Sequence, residues 1–357
     1  MKTLRILSIA LAVGLPVAML PLSGCGSETT TTAAVPTQDA VLTTFYPTQY
    51  FAQRIAGGLV VVDSPLPADT DPIFWRPGAE AMIQFQNAKL VITNGAEFEK
   101  WVAGAALPRG RTVESLDDQA LASTGGPITM ESTTHSHGPA GEHTHEGVDG
   151  HTWVSPTLAI AQAERIAEAM STAWPEHASA FETNLASLVE DLEMLRTSMA
   201  DLTPRVEGHA LLASHPAYNY LAREMGWDVH NLDLDPENAD TQAVVDAVHE
   251  ALHHHEDHHH EHEHAQSDDH DHDEDQAHDD HDEDHDHAHD DHEHSHGDKP
   301  VILLWEGEPT PAIVEALQAE LGVTSVLFSP AETAPEDGDY MDAMRANLDR
   351  LRKAVGG

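Results

Sequence analysis

Between His253 and His296 the chain carries 18 histidines and 19 acidic residues in 44 positions, with no lysine or arginine. Neutral imidazole is the commonest protein ligand for borderline divalent ions such as Zn2+, Cu2+ and Ni2+, and carboxylates add oxygen ligands and a negative field that concentrates cations. The tract therefore points to transition-metal handling. It holds too few apolar residues to offset the entropy of ordering, so without metal it is expected to be a solvated, mobile loop. A merely solubilising run would use Asp and Glu without so much His.

Other metal-competent residues are sparser. His135, His137, His143 and His145 lie in the Gly- and Thr-rich stretch Gly125–His151, a loop by composition that either feeds metal inward or is a His-rich surface linker. Three segments put such a side chain at a strand end or helix start, where open α/β sheets bind ligands: Asp149–Pro156 with His151, Leu212–Tyr218 with His215, and Leu303–Pro309 with Glu306. Taken singly, each His is more often a satisfied polar residue than a ligand. His249-Glu250-Ala251-Leu252-His253 matches H-E-x-x-H, the zinc-protease pattern with Glu as general base. Because His253 opens the tract, that match owes much to composition, and no third ligand motif follows it.

The elements that must position these residues show α/β layering from Ala40 onward. Candidate strands are Val41–Phe45, Leu59–Ser64 and Lys89–Thr93 in the first half, then Ala210–Ser214, Val229–Leu234, Val301–Trp305 and Ser325–Phe328. The expectation is two α/β lobes with mostly parallel sheets, residues 40–172 and 205–357, joined by a connecting helix at 173–204. The second lobe carries the His/Asp-rich insertion 253–298. Within the connector Phe181, Leu185, Leu188, Leu192, Leu195, Met199 and Leu202 recur at steps of four and three, giving one long amphipathic helix. That stripe suits a coiled-coil seam or a rigid strut across both lobes.

The net charge is −45, and outside the tract 43 acidic residues still face 17 basic ones. Nucleic acid is thereby excluded as a partner, since phosphate binding needs basic patches. Lys2, Arg5 and the apolar run Ile6–Leu22 read as a signal peptide over residues 1–24. Leu22-Ser23-Gly24-Cys25 resembles the bacterial lipobox, in which the cysteine is lipidated, and Cys25 is the sole cysteine. Residues 25–39 then form a flexible tether, and with no later run long enough to span a bilayer, the remainder is expected to be extracytoplasmic and held to the membrane by its lipid.

In wording and order the three segments resemble the metal-binding solute-binding proteins of ABC importers, the zinc and manganese class, from Val41 to Leu351. That resemblance implies two α/β lobes with metal in the cleft between them, an ABC permease and its ATPase as partners, and no catalysis. By motif the family's ligands carry over to His151, His215 and Glu306. One departure stands out: the family's first ligand usually follows Pro in an Asp-Pro-His or Ser-Pro-His pattern, and here Asp71-Pro72 is followed by Ile73. The fourth position then falls to water, to a histidine of the 135–145 cluster, or to a carboxylate such as Asp71. Two imidazoles and a carboxylate suit Zn2+ better than Mn2+, which prefers more oxygen ligands. The competing readings are a surface zinc buffer acting without a transporter and a zinc hydrolase.

Overall fold

Short runs rich in Val, Ile and Leu become the strands of two separate four-stranded parallel sheets. The computed structural model describes residues 37–68, 70–136, 142–235, 240–257 and 299–356, with backbone alone for 37, 131–136, 142–146 and 254–257. The signal peptide, Cys25, His137 and tract residues 258–298 lie outside the described residues. Described chain from Thr37 onward belongs to one contiguous unit.

The first lobe runs β1 (Ala40–Thr43), α1 (Tyr46–Ala56), β2 (Val61–Asp63), α2 (Ala79–Asn87), β3 (Leu90–Gly95), β4 (Thr112–Leu116) and α3 (Asp118–Ser123), with sheet order β2-β1-β3-β4. Strand β1 is buried at all four positions, as expected of a parallel strand covered on both faces. Strand β4 was not anticipated from the sequence; Thr-Val-Glu-Ser-Leu is short and half polar, and pairing with β3 supplies what its composition does not.

The stretch before His151 corrects the loop expectation. It folds back as an antiparallel hairpin of β5 (Thr129–Ser136) and β6 (Glu142–Val148), in which His135 pairs with His143 and Thr133 with His145. Repeated Thr residues favour an extended backbone, and cross-strand pairing outweighs the Gly content that suggested a loop. Helix α4 (Pro156–Ala173) then begins at a Ser155 cap whose side chain accepts from the Leu158 amide, with Pro156 in the first turn.

Helix α5 (Ala178–Ala200) is the expected connector, about 35 Å long at 1.5 Å per residue. Phe181, Leu188, Leu192, Leu195 and Met199 are all buried in a core cluster that also holds Ile166 and Ile55 of the first lobe and Met344 and Leu348 of the second. The stripe is thus consumed inside the chain as a strut, leaving no seam for a coiled coil. A short helix α6 (Thr203–Val206) leads to the second lobe: β7 (Ala210–Ala213), α7 (Asn219–Met225), β8 (Val229–Asn231), α8 (Thr241–Asp257), β9 (Val301–Trp305), α9 (Pro311–Leu321), β10 (Thr324–Leu327) and α10 (Tyr340–Ala354), with sheet order β10-β9-β7-β8. The tract's first five residues, His253–Asp257, continue α8 rather than starting a loop, because a helix already anchored by Val244, Val245, Val248 and Leu252 extends at little cost.

Several buried contacts weld the lobes. Trp153 Nε1 donates to Pro330 O at 2.7 Å, Tyr340 Oη donates to Trp153 O at 2.7 Å, and the rings of Phe51 and Tyr340 meet edge to face. Leu192→Ala, at a fully buried position on the strut, is expected to destabilise the chain by about 2–5 kcal/mol, read from the shift in urea midpoint.

Candidate metal centre

The loops that follow the parallel strands β2, β7, β9 and β10 bring Asp71, His215, Glu306 and one residue not anticipated, Glu332, into the neighbourhood of His151, which follows the antiparallel hairpin. His151 sits just before the turn Thr152–Val154 and is 1% exposed. Its position is set from below. Asn94, at the end of β3, takes its amide hydrogen bond to the buried Glu99 carboxylate and donates through Nδ2 to Gly150 O at 2.9 Å. Gly150 is needed for close approach: a Cβ there would lie 2.7 Å from Phe98 Cβ. The Phe98 and Trp153 rings then flank the imidazole.

Both ring nitrogens of His151 are engaged. Nδ1 lies 2.8 Å from Asp149 Oδ1, which also accepts the His151 amide at 2.9 Å, and Nε2 lies 2.9 Å from Glu332 Oε1. Asp149 is itself fixed through Oδ2, which accepts from Asn219 Nδ2 at 3.0 Å, and Asn219 accepts from Asn231 Nδ2 at 2.7 Å. Burial by itself would lower the imidazole pKa, yet the hydrogen bonds to the Asp149 and Glu332 carboxylates lift it to about 10. The ring is therefore an imidazolium at neutral pH, donating from both nitrogens.

His215 follows Ser214 at the end of β7, is 3% exposed, and meets the His151 ring edge to face at 5.9 Å between centroids. Glu306 follows β9; its amide donates to Ser214 Oγ at 3.3 Å. Burial first, and then repulsion from Glu332 and Asp71, push its carboxyl pKa up to about 8. Asp71, in the loop after β2, accepts the Ile73 amide at 2.8 Å, and burial together with Glu332 raises it to about 6. Ile73 itself packs against the main apolar core. His135, His143 and His145 are placed by backbone alone, on the hairpin that leads to His151.

Glu332 escaped the sequence reading because nothing marks Pro330-Ala331-Glu332 as a ligand motif. Its place one loop beyond the last strand was the available signal. Ala331, with φ at 57°, adopts the left-handed region that residues with a Cβ avoid, and this bend immediately precedes the glutamate. Among the described residues no three His, Asp or Glu side chains already stand close enough to hold an ion together. What the neighbourhood offers is a largely buried group of carboxylates and imidazoles, with Glu306 and Asp71 raised by burial and by Glu332, and His151 raised by its two carboxylate partners.

Residues 41–256 match the family described as zinc-uptake complex component A, periplasmic. The chain belongs to this family. It is 30% identical over 190 residues to the zinc-binding lipoprotein AdcA of Streptococcus pneumoniae, 27% over 212 residues to the high-affinity zinc uptake system protein ZnuA of Bacillus subtilis, and 27% over 215 residues to the iron-binding protein YfeA of Yersinia pestis. These alignments cover 52%, 58% and 59% of this chain but 37%, 65% and 64% of those relatives, so the chain aligns with only part of each. Among solved structures, zinc-bound AdcA of S. pneumoniae superimposes over 90% of this chain and 58% of its own with a TM-score of 0.64 at 21% identity. The metal-dependent lipoprotein YcdH of B. subtilis superimposes over 88% of this chain and 98% of its own at 0.62 and 20%. Both establish the two-lobed α/β fold. The family consists of extracytoplasmic metal-uptake binding components and not of enzymes, which removes the hydrolase reading of H-E-x-x-H.

The raised pKa values carry a sign. Glu306 moves from 4.5 to about 8, Asp71 from 3.8 to about 6, and His151 from 6.5 to about 10, so the native chain binds more protons than the unfolded one. The carboxyl contribution to stability is complete below their ordinary values and is lost as pH rises through about 6 to 8; that of His151 is complete below 6.5 and lost through about 10. The urea midpoint of chelator-treated protein is expected to fall from pH 5 to pH 9, and Glu306→Gln to flatten the portion between pH 5 and 8. A midpoint that climbs across this range would contradict the site electrostatics.

Proposed function

We propose that this protein is the solute-binding component of an ABC importer, held to the membrane through lipidated Cys25, which captures Zn2+ in the cleft between its lobes and delivers it to a permease driven by an ATPase. The observation that carries the reading is the Asp149–His151–Glu332 chain. A carboxylate on Nδ1 fixes the ring and tautomer so that Nε2 faces the cleft, the arrangement that metal-ligating histidines need. The proton between Nε2 and Glu332 occupies the place an ion would take. Their 2.9 Å separation is close to the edge of about 3.3 Å in a tetrahedron with bonds of 2.0–2.1 Å. His215 and Glu306 supply the remaining donors by side-chain rotation, with Asp71 as the nearest further carboxylate. In this assignment Glu332 fills the position that Ile73 vacates.

Three carboxylates beside two imidazoles also give manganese or iron a foothold, and one relative is named for iron. Zinc nevertheless binds N and O sites more tightly than either ion, and the His-rich tract favours the same metal. Competition between Zn2+ and Mn2+ for the tightest site is expected to end with zinc bound.

Because His must be neutral and carboxylates ionised to coordinate, capture has to expel protons. Titration of zinc at pH 7 in buffers of different ionisation enthalpy is expected to show more than one proton released per ion at the tight site; zero release would refute the assignment of His151. In competition against a fluorescent chelator, Asp149→Asn is expected to weaken zinc by about 10–100-fold and His215→Ala by more than about a hundredfold. Wild-type affinity in His215→Ala would sink the cleft site.

A further inference from the structure

We infer that His249 and His253 form a second metal site, a two-histidine clamp for a divalent transition ion on the outer face of α8, separate from the cleft. The two residues stand one turn apart on one helical face. Their rings meet at 4.3 Å between centroids with an interplanar angle of 70°, and their Nε2 atoms are 3.0 Å apart. Two imidazole nitrogens bound to one tetrahedral zinc ion at 2.0–2.1 Å would be about 3.3 Å apart. The pair therefore holds its donor atoms within a few tenths of an ångström of a chelating bite.

Helix packing accounts for the geometry. Val244, Val245, Val248 and Leu252 bury one side of α8 against Leu303, Ile313 and Leu317, which leaves His249 exposed and His253 half-buried at the margin. A rigid helix presents both rings, so an ion meets donors already in place and little ordering entropy is lost. In the metal-free pair one Nε2–H donates to the other Nε2. An ion takes that proton's place once the donor ring moves its hydrogen to Nδ1, and no net proton need leave. Asp246, exposed three residues before His249, adds negative charge on the same side. Water or further side chains complete the sphere. Glu250 between the histidines matches a protease only in spelling, since the family is not one of enzymes.

The site stands whether or not the cleft binds zinc, and the test separates the two. The full-length chain is treated with diethyl pyrocarbonate with and without Zn2+, and modification is read for each histidine by mass spectrometry. At free zinc ten times the dissociation constant of the clamp, labelling of His249 and His253 is expected to slow about tenfold. His253→Ala should return His249 to its zinc-free rate, and His249→Ala should do the same for His253; both positions lie at the surface, and unchanged circular dichroism checks the fold. Protection of the pair should persist in His215→Ala. Zinc-independent labelling of His249, protection of His249 that survives His253→Ala, or loss of the pair's protection in His215→Ala would each overturn the clamp. Unaltered tight binding in His215→Ala would overturn the cleft assignment and leave the clamp intact.

Discussion

His151 has almost no contact with water, and both of its nitrogens are committed to carboxylates. A buried charge is tolerable only when it is paired and hydrogen-bonded, and here one imidazolium is shared between Asp149 of the first lobe and Glu332 of the second. The rest of the cleft is arranged around that constraint. Asn219 and Asn231 satisfy Asp149, Gly150 allows the turn to press against Phe98, and the left-handed Ala331 turns Glu332 toward the ring.

The same pairing explains why the neighbourhood is a plausible trap for a cation and an uncomfortable place without one. Burial deprives Glu306 and Asp71 of water, and the neighbouring Glu332 carboxylate repels both, so these two retain protons where carboxylates would ordinarily lose them. A divalent ion relieves both effects at once. Affinity in such a site is gained by releasing electrostatic strain as much as by forming new bonds. It is also bound to pH through the protons that must depart.

Holding the clustered side chains of the two lobes at a fixed separation is a mechanical requirement, met by α5. Its apolar stripe enters the core shared by both lobes, while Trp153 and Tyr340 tie loops across the junction through hydrogen bonds to backbone carbonyls. These bonds satisfy polar atoms deep in an aromatic core, where leaving them unpaired would cost more than the bonds themselves contribute.

The sequence by itself determined the layered α/β class, most of the strands, the connector helix and the concentration of metal-binding chemistry in the chain. Each of these is written in local periodicity or composition. Val301–Trp305 reads as a buried parallel strand because all five residues are apolar, and α5 reads as a helix because its leucines recur at steps of three and four. Residues 129–148 misled, because Gly and His suggested a loop where antiparallel pairing of a Thr-rich run with the segment just after it made a hairpin. Tertiary structure alone decided that Glu332, which no motif marks, lies 2.9 Å from His151 across 181 residues of sequence, and that the leucine stripe faces inward. Long-range juxtaposition of this kind depends on how two sheets are docked. A carboxylate in a loop has the same local signature whether it meets solvent or a buried imidazole.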